Sequence, residues 1–244
     1  MILNKFGTEY GGWSRIPLES LNSHSVVYSF GAGEDICYEF LLSGLTNAEI
    51  HIFDPTPRAI EHFDFCKNLC KGYLEDVYNP RHGGGDRNYN SHIKNSKADL
   101  NKIFFHNYGI YDEDSSFDFY YPKNPEHVSL SIDNLNNTDD FISLNVKKID
   151  SIFEDLDHRF IDVVKFNIEG AEVRALLHML KNTTIRPTYI SVKFELARDK
   201  KNKNESLINE LDRCLQQEYD EIYSEPAKYN YTYKKREKKN KFVI

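Results

Sequence analysis

Short apolar runs bounded by turn residues alternate along this chain with longer stretches whose apolar positions recur every three or four residues. The first kind reads as buried strands and the second as amphipathic helices. Val26–Phe30 predicts a first strand, Ile36–Ser43 a first helix and Glu49–Phe53 a second strand. Pro57 suits the first turn of a helix over Arg58–Leu69. Ile103–Asn107 predicts a third strand. Phe117–Tyr121 and Val146–Ile149 predict short accessory strands, with Ser151 capping a short helix. Asp162–Phe166 reads as a buried central strand. The helix Ala171–Leu180 follows, with Val173, Leu176, Leu177 and Leu180 on one face. Thr188–Phe194 is the next strand, Glu205–Gln217 an amphipathic helix, and Glu221–Ser224 a further strand. Tyr229–Tyr233 and Phe242–Ile244 are expected to pair as a hairpin with the charged run Lys234–Lys241 at its tip.

Strands alternating with helices predict an α/β fold: a Rossmann-like, doubly wound, mostly parallel seven-stranded sheet with an antiparallel edge strand. Neither a repeat nor a linker interrupts the pattern, so residues 1–244 are expected to form one domain, with 1–25 as a lead-in. Residues 71–102 are polar and turn-rich and include Gly83-Gly84-Gly85. A loop of that length inside a compact domain is expected to act as a lid or substrate wall. In such sheets ligands sit beyond the C-terminal strand ends. That places Ser29–Asp35, Asp54, Asn107–Tyr111 and Asn167–Glu172 around one crevice.

The first strand runs into Gly31-Ala32-Gly33, and the second ends on Asp54, roughly 20 positions further on. This is the layout of a βαβ unit that binds a nucleoside-like cofactor. Gly31 and Gly33 would let the backbone approach the ligand. Asp54 would accept the ribose hydroxyls, each bond to a charged acceptor being worth about 1.5–3 kcal/mol. A dinucleotide site wants a third glycine where this chain has Ile36, and Glu34 and Asp35 would repel a pyrophosphate. S-adenosylmethionine carries no phosphate, and its sulfonium and ammonium groups suit an acidic rim. It is therefore the expected cofactor. Glu34 and Asp35 either contact its methionine end or cap the first helix. Trp13 is a candidate cover, and Asn107 and Gly109 are candidate adenine contacts. Ser29, Thr56 and Asn167 complete the candidate cofactor set.

The net charge of −7 argues against broad electrostatic binding of nucleic acid. Sixteen tyrosines and sixteen phenylalanines suit either a carbohydrate-facing pocket or an ordinary core. Cys37, Cys66, Cys70 and Cys214 show no metal-finger spacing. No apolar run approaches 18 residues and no signal-peptide pattern opens the sequence. The expectation is a cytoplasmic protein without membrane insertion.

Several motifs give the chain a familiar outline. They are Tyr10-Gly11-Gly12-Trp13, Val27–Ile36, Phe53-Asp54-Pro55-Thr56-Pro57, His127–Ile132 and, most specific, Lys165-Phe166-Asn167-Ile168-Glu169-Gly170-Ala171-Glu172. Together they resemble the FkbM family of S-adenosylmethionine-dependent methyltransferases. The resemblance implies a class I methyltransferase fold and O-methylation of a small-molecule or glycan hydroxyl. It also implies a sugar acceptor as partner, with fusion to or association with glycosyltransferases. The family pattern has Asp where this chain has Asn167. In related small-molecule O-methyltransferases a carboxylate near this strand end binds a divalent metal. Asn167 is a weaker, neutral ligand, so no metal is expected there.

A sugar hydroxyl needs a general base, worth about 10²–10⁴-fold. The candidates, in order, are Glu195, Glu169 and His127. Lys165 could pair with one of the nearby acids. Arg87, Tyr89, Ser131 and Glu172 are candidates for the acceptor side. The expected function is methylation of a sugar hydroxyl in a glycan or polysaccharide. The alternatives are a small-molecule or protein methyltransferase, or a cofactor-binding module without catalysis.

Overall fold

The computed structural model describes residues 5–14, 16–122, 130–132, 138–168, 170–194, 205–226 and 229–237. A ribbon of β1 (Lys5–Phe6) and β2 (Trp13–Ser14) precedes the main sheet. Then come β3 (Val26–Phe30), α1 (Cys37–Thr46), β4 (Glu49–Phe53), α2 (Pro57–Cys70), α3 (Tyr89–Asn95) and β5 (Ile103–His106). Three accessory strands follow: β6 (Gly109–Ile110), β7 (Ser115–Tyr120) and β8 (Phe141–Lys147). The chain returns through α4 (Ile149–Asp155), β9 (Val163–Phe166), α5 (Glu172–Asn182), β10 (Tyr189–Lys193), α6 (Glu205–Glu218), β11 (Tyr219–Glu225) and β12 (Asn230–Lys235).

Among the described residues, seven strands form the main sheet in the order β11-β12-β10-β9-β3-β4-β5. Strands β10, β9, β3, β4 and β5 run parallel. Every residue of β3 is buried because helices cover both faces of the sheet. Val27, Ile50 and Ile52 face the layer of α1, α2 and α3. Tyr28, Phe30, Phe53 and Phe166 face the layer of α4, α5 and α6. Helix α1 stops at Asn47, whose left-handed backbone (φ 56°) lets its N–H donate to Ser43 O.

Four details differ from the sequence expectations. The antiparallel strand, β12, lies one place in from the edge, because β11 adds outside it. Lys234 and Lys235 are strand residues opposite Asp220 and Tyr219, not a hairpin tip. The partner expected at Phe242–Ile244 lies outside the described residues. Ile149 begins α4 rather than ending a strand, and Ser151 sits inside that helix, donating to Asp114 Oδ2 at 2.7 Å. Residues 71–102 are not one loop: α3 packs its Tyr89 and Ile93 into the core formed with α1 and α2. The three glycines there adopt left-handed backbone, with φ of 60°, 63° and 86° at Gly83, Gly84 and Gly85. A Cβ on Gly83 would lie 2.3 Å from the Tyr89 ring, and one on Gly84 2.4 Å from the Tyr10 ring.

Candidate active site

A cavity of about 880 Å³ opens beyond the C-terminal ends of β3, β4 and β9. Its floor is the turn Gly31–Gly33 with Asp54 and Asn167. The ribbon residues Gly11, Gly12 and Trp13 and the glycines 83–85 enclose one end. Phe119 of β7, with Leu130 and Ile132, encloses the other.

Asp54 is buried and accepts four hydrogen bonds. Oδ2 takes the N–H groups of Ala32 (2.9 Å) and Gly33 (3.0 Å). Oδ1 takes the N–H (2.9 Å) and hydroxyl (2.6 Å) of Thr56. The carboxylate thus ties the glycine turn to the end of β4. A carboxylate offers about four lone-pair sites, so a ribose reaching Asp54 would share oxygens with these donors.

Glu34 is buried between two guanidinium groups. Arg58 Nη2 donates to its Oε2 at 2.9 Å, and Arg81 Nε to its Oε1 at 3.0 Å. Burial pushes its pKa up, but the Arg81 and Arg58 hydrogen bonds and charges outweigh this and hold it below the ordinary glutamate value. Its own carbonyl accepts from Gly83 N at 2.8 Å, so Glu34 clamps residues 81–83 onto the glycine turn. Asp35 caps instead: Oδ1 accepts from Cys37 N at 3.1 Å, and Oδ2 accepts from Thr8 Oγ1 and from Gly11 N (3.2 Å). Burial raises its pKa against the pull of these bonds.

Glu34→Gln should remove the clamp's charge. The expected loss is about 1–3 kcal/mol at neutral pH in urea unfolding, with faster proteolysis around residues 79–86. The folded-state pKa of Glu34 is depressed, so its contribution is complete above about pH 4.5, the ordinary value, and fades as pH falls through the depressed one. The gap between wild type and Glu34→Gln should therefore shrink on acidification. A gap that does not depend on pH would contradict the assignment.

The candidate site residues divide by position. Trp13, Gly31, Gly33, Glu34, Asp35, Asp54, Thr56, Gly109 and Asn167 all line the cavity. Ser29 lies beneath it, wholly buried, and donates to Glu39 Oε1 at 2.6 Å. Asn107 is exposed beyond the end of β5, outside the lining. Arg87 is exposed, with its guanidinium 5.7 Å from the centre of the Tyr78 ring. Tyr89 is a core residue whose hydroxyl meets His62 Nε2 at 2.7 Å and accepts from Ile36 N at 3.1 Å. Glu172 is buried, and its Oε2 accepts from Gly170 N at 2.7 Å. Ser131 bridges to Tyr120 through the backbone, between the lining residues Leu130 and Ile132. The three base candidates, Glu195, Glu169 and His127, lie outside the described residues.

Three features escaped the sequence reading. Lys165 pairs with Glu39 on α1, not with a neighbouring acid: Nζ lies 2.5 Å from Oε1. Arg58 and Arg81 turn Glu34 into a clamp. Lys193, at the end of β10, lines the cavity. No local sequence signal marks the first, since Glu39 lies 126 positions from Lys165.

The sheet order and the cavity at its C-terminal edge are those of a class I methyltransferase. More narrowly, the chain belongs to the FkbM methyltransferase family: the "Methyltransferase FkbM domain" profile matches residues 23–233. No curated protein sequence matches it significantly. Among solved structures it is similar to a methyltransferase FkbM from Methylobacillus flagellatus KT, at 15% identity and TM-score 0.46. That match covers 90% of this chain and 48% of the other, so the chain spans about half the length of that relative. It is also similar to an rRNA methylase from Streptococcus thermophilus, at 11% identity, TM-score 0.42, and 90% and 92% coverage. A third likeness is to a chain of a fibrillarin/Nop5p complex, at 9% identity, TM-score 0.43, and 89% and 75% coverage. Among the described residues no helix is long and apolar enough to cross a membrane.

Proposed function

We propose that the protein is an S-adenosylmethionine-dependent O-methyltransferase acting on a sugar hydroxyl of a glycan. The observation that carries the cofactor reading is the state of the α1 N-terminus. A pyrophosphate would need free backbone amides there. The N–H of Ile36 is already given to Tyr89, and that of Cys37 to Asp35. The two buried acids beside them are committed as well, Glu34 to Arg58 and Arg81 and Asp35 to Thr8, Gly11 and Cys37. With these amides spent inside the protein, a ligand without phosphate suits this turn better than a pyrophosphate.

Gly31–Gly33 would support the cofactor from below, Trp13 would cover it, and Gly109 and Pro55 would flank its base. S-adenosylmethionine supplies a methyl group on a sulfonium, which an oxygen displaces in line. The chain's part is to align that oxygen and take its proton. Glu195 stays first among the base candidates because it follows the cavity-lining Lys193 by two positions. Phe119, Leu130 and Ile132 would form the acceptor wall, where a sugar ring's apolar face could pack. Glycosyltransferases, as fused or associated partners, would deliver such acceptors.

Calorimetric titration tests the cofactor first. The expected result is micromolar binding of S-adenosylmethionine and none of NAD+. No binding of S-adenosylmethionine would sink the reading. Labelled cofactor with deoxysugars and short glycans then tests the acceptor. Binding with no transfer to any sugar, but transfer to a small phenol or a peptide, would replace glycan by that class.

A further inference from the structure

At the opposite, N-terminal end of the sheet, three side chains converge. Glu49 and His51 stand two residues apart on β4, so strand alternation places both on one face. His158 comes from the loop between α4 and β9. Glu49 Oε1 lies 2.8 Å from His51 Nε2 and 3.3 Å from His158 Nε2. One ligand atom from each residue lies within 4.8 Å of the others, the sole such group among the described residues.

Two ligands on one tetrahedral ion, each bonded at about 2.0–2.1 Å, sit about 3.3 Å apart. Closing this triad onto such an ion therefore takes shifts of about 1.5 Å or less. The rings are already aimed. His51 Nδ1 meets His106 Nε2 at 2.9 Å, and His158 Nδ1 meets the Tyr28 hydroxyl at 2.6 Å. With an ion on each Nε2, each Nδ1–H would donate, to His106 Nε2 and to the Tyr28 hydroxyl, both able to accept, and such a far-side acceptor fixes ring and tautomer. Stacking of His51 on Phe104 (5.0 Å) and His106 (5.2 Å), with His158 edge-on at 4.8 Å, holds the rings in place.

We propose that Glu49, His51 and His158 bind a divalent cation of the zinc class. Imidazole and carboxylate together suit Zn2+ or Co2+, whereas Mg2+ and Ca2+ take oxygen ligands. Glu49 is 39% exposed, His158 15% and His51 5%, so the ion enters from the Glu49 side and its fourth position faces solvent. The site lies roughly 16 Å along β4 from Asp54 at ~3.3 Å per residue, separate from the cavity. Its role is to fasten the α4–β9 loop to the sheet.

The test uses the full chain stripped with EDTA. Zn2+ titrated by calorimetry should bind at one equivalent, micromolar or tighter, and raise the thermal midpoint. Co2+ should give visible ligand-field absorption without the near-ultraviolet band of thiolate ligation. Mg2+ and Ca2+ should do neither. Glu49→Gln and His158→Asn should each weaken Zn2+ binding at least 100-fold. Tyr28→Phe, which keeps the ring and removes only the Nδ1 partner, should weaken it about tenfold. Circular dichroism identifies any variant that fails to fold, and Tyr28→Phe then carries the comparison. Absent stoichiometric binding, a thiolate spectrum, or affinity unchanged in the folded variants would overturn the proposal and leave a carboxylate hydrogen-bonded to two histidines.

Discussion

Gly31→Ala is expected to weaken S-adenosylmethionine binding at least ~100-fold, about 2.7 kcal/mol, and to destabilise the fold as well. Two independent effects combine at this position. The backbone φ is 88°, a region where an L side chain is strained by about 1–3 kcal/mol. A Cβ there would also lie 2.0 Å from the carbonyl oxygen of Asn167 and 3.1 Å from Ile168 Cγ2. Neither strand can give way: Gly31 N donates to Phe53 O at 3.0 Å, and Asn167 N to Phe30 O at 3.0 Å. The substitution must therefore push β3, β4 and β9 apart at the cavity floor. Gly72→Ala is the control. Its φ is 73° and nothing lies within 4 Å of the added Cβ, so only backbone strain remains. Urea unfolding and calorimetry should show a modest stability loss for Gly72→Ala with affinity unchanged. Equal effects from the two substitutions would mean the contact with Asn167 is unimportant.

The parallel core and the cavity at its C-terminal end were legible because their signals are local. Val26–Phe30 running into Gly31-Ala32-Gly33, and Glu49–Phe53 ending on Asp54, announce themselves within about thirty residues. The roles of the acids were not local. Glu34 could cap or contact a ligand on sequence grounds, and its clamp depends on Arg81, 47 positions away. Tyr89 sits in a polar stretch that reads as a lid or substrate wall, yet α3 buries it against His62 and the start of α1. Lys234 and Lys235 look like a turn because they are charged. They extend β12 instead, with the edge strand Tyr219–Glu225 beside them supplying Asp220 across from Lys234. The Glu49–His51 spacing was visible, but nothing in the sequence brings His158 to it, because that meeting depends on a loop folding back 109 positions from Glu49.

Lys165→Met should be the most damaging single change beneath the cavity. Lys165 and Glu39 form an ion pair with side chains 2% and 1% exposed. Ser29 Oγ supports the same Glu39 oxygen, while Glu39 Oε2 is buried with no hydrogen-bond partner. Removing the cation leaves a carboxylate in the core, a loss of about 3–5 kcal/mol. The Lys165 ammonium also lies 5.5 Å from the centres of the Trp13 and Tyr38 rings, a contact worth up to about 2 kcal/mol when desolvated. Trp13 lines the cavity, so the damage should reach S-adenosylmethionine affinity as well as stability. Trp13 is the chain's one tryptophan, and its fluorescence reports this environment directly. The double variant Glu39→Leu with Lys165→Met separates charge from packing. Apolar replacement of a buried pair is often neutral, so most of the stability should return. The tryptophan emission should stay altered, because the cation facing the ring is still missing. If the double variant is as unstable as Lys165→Met, the cost lies in lost packing around Trp13 and Tyr38 rather than in the stranded charge of Glu39.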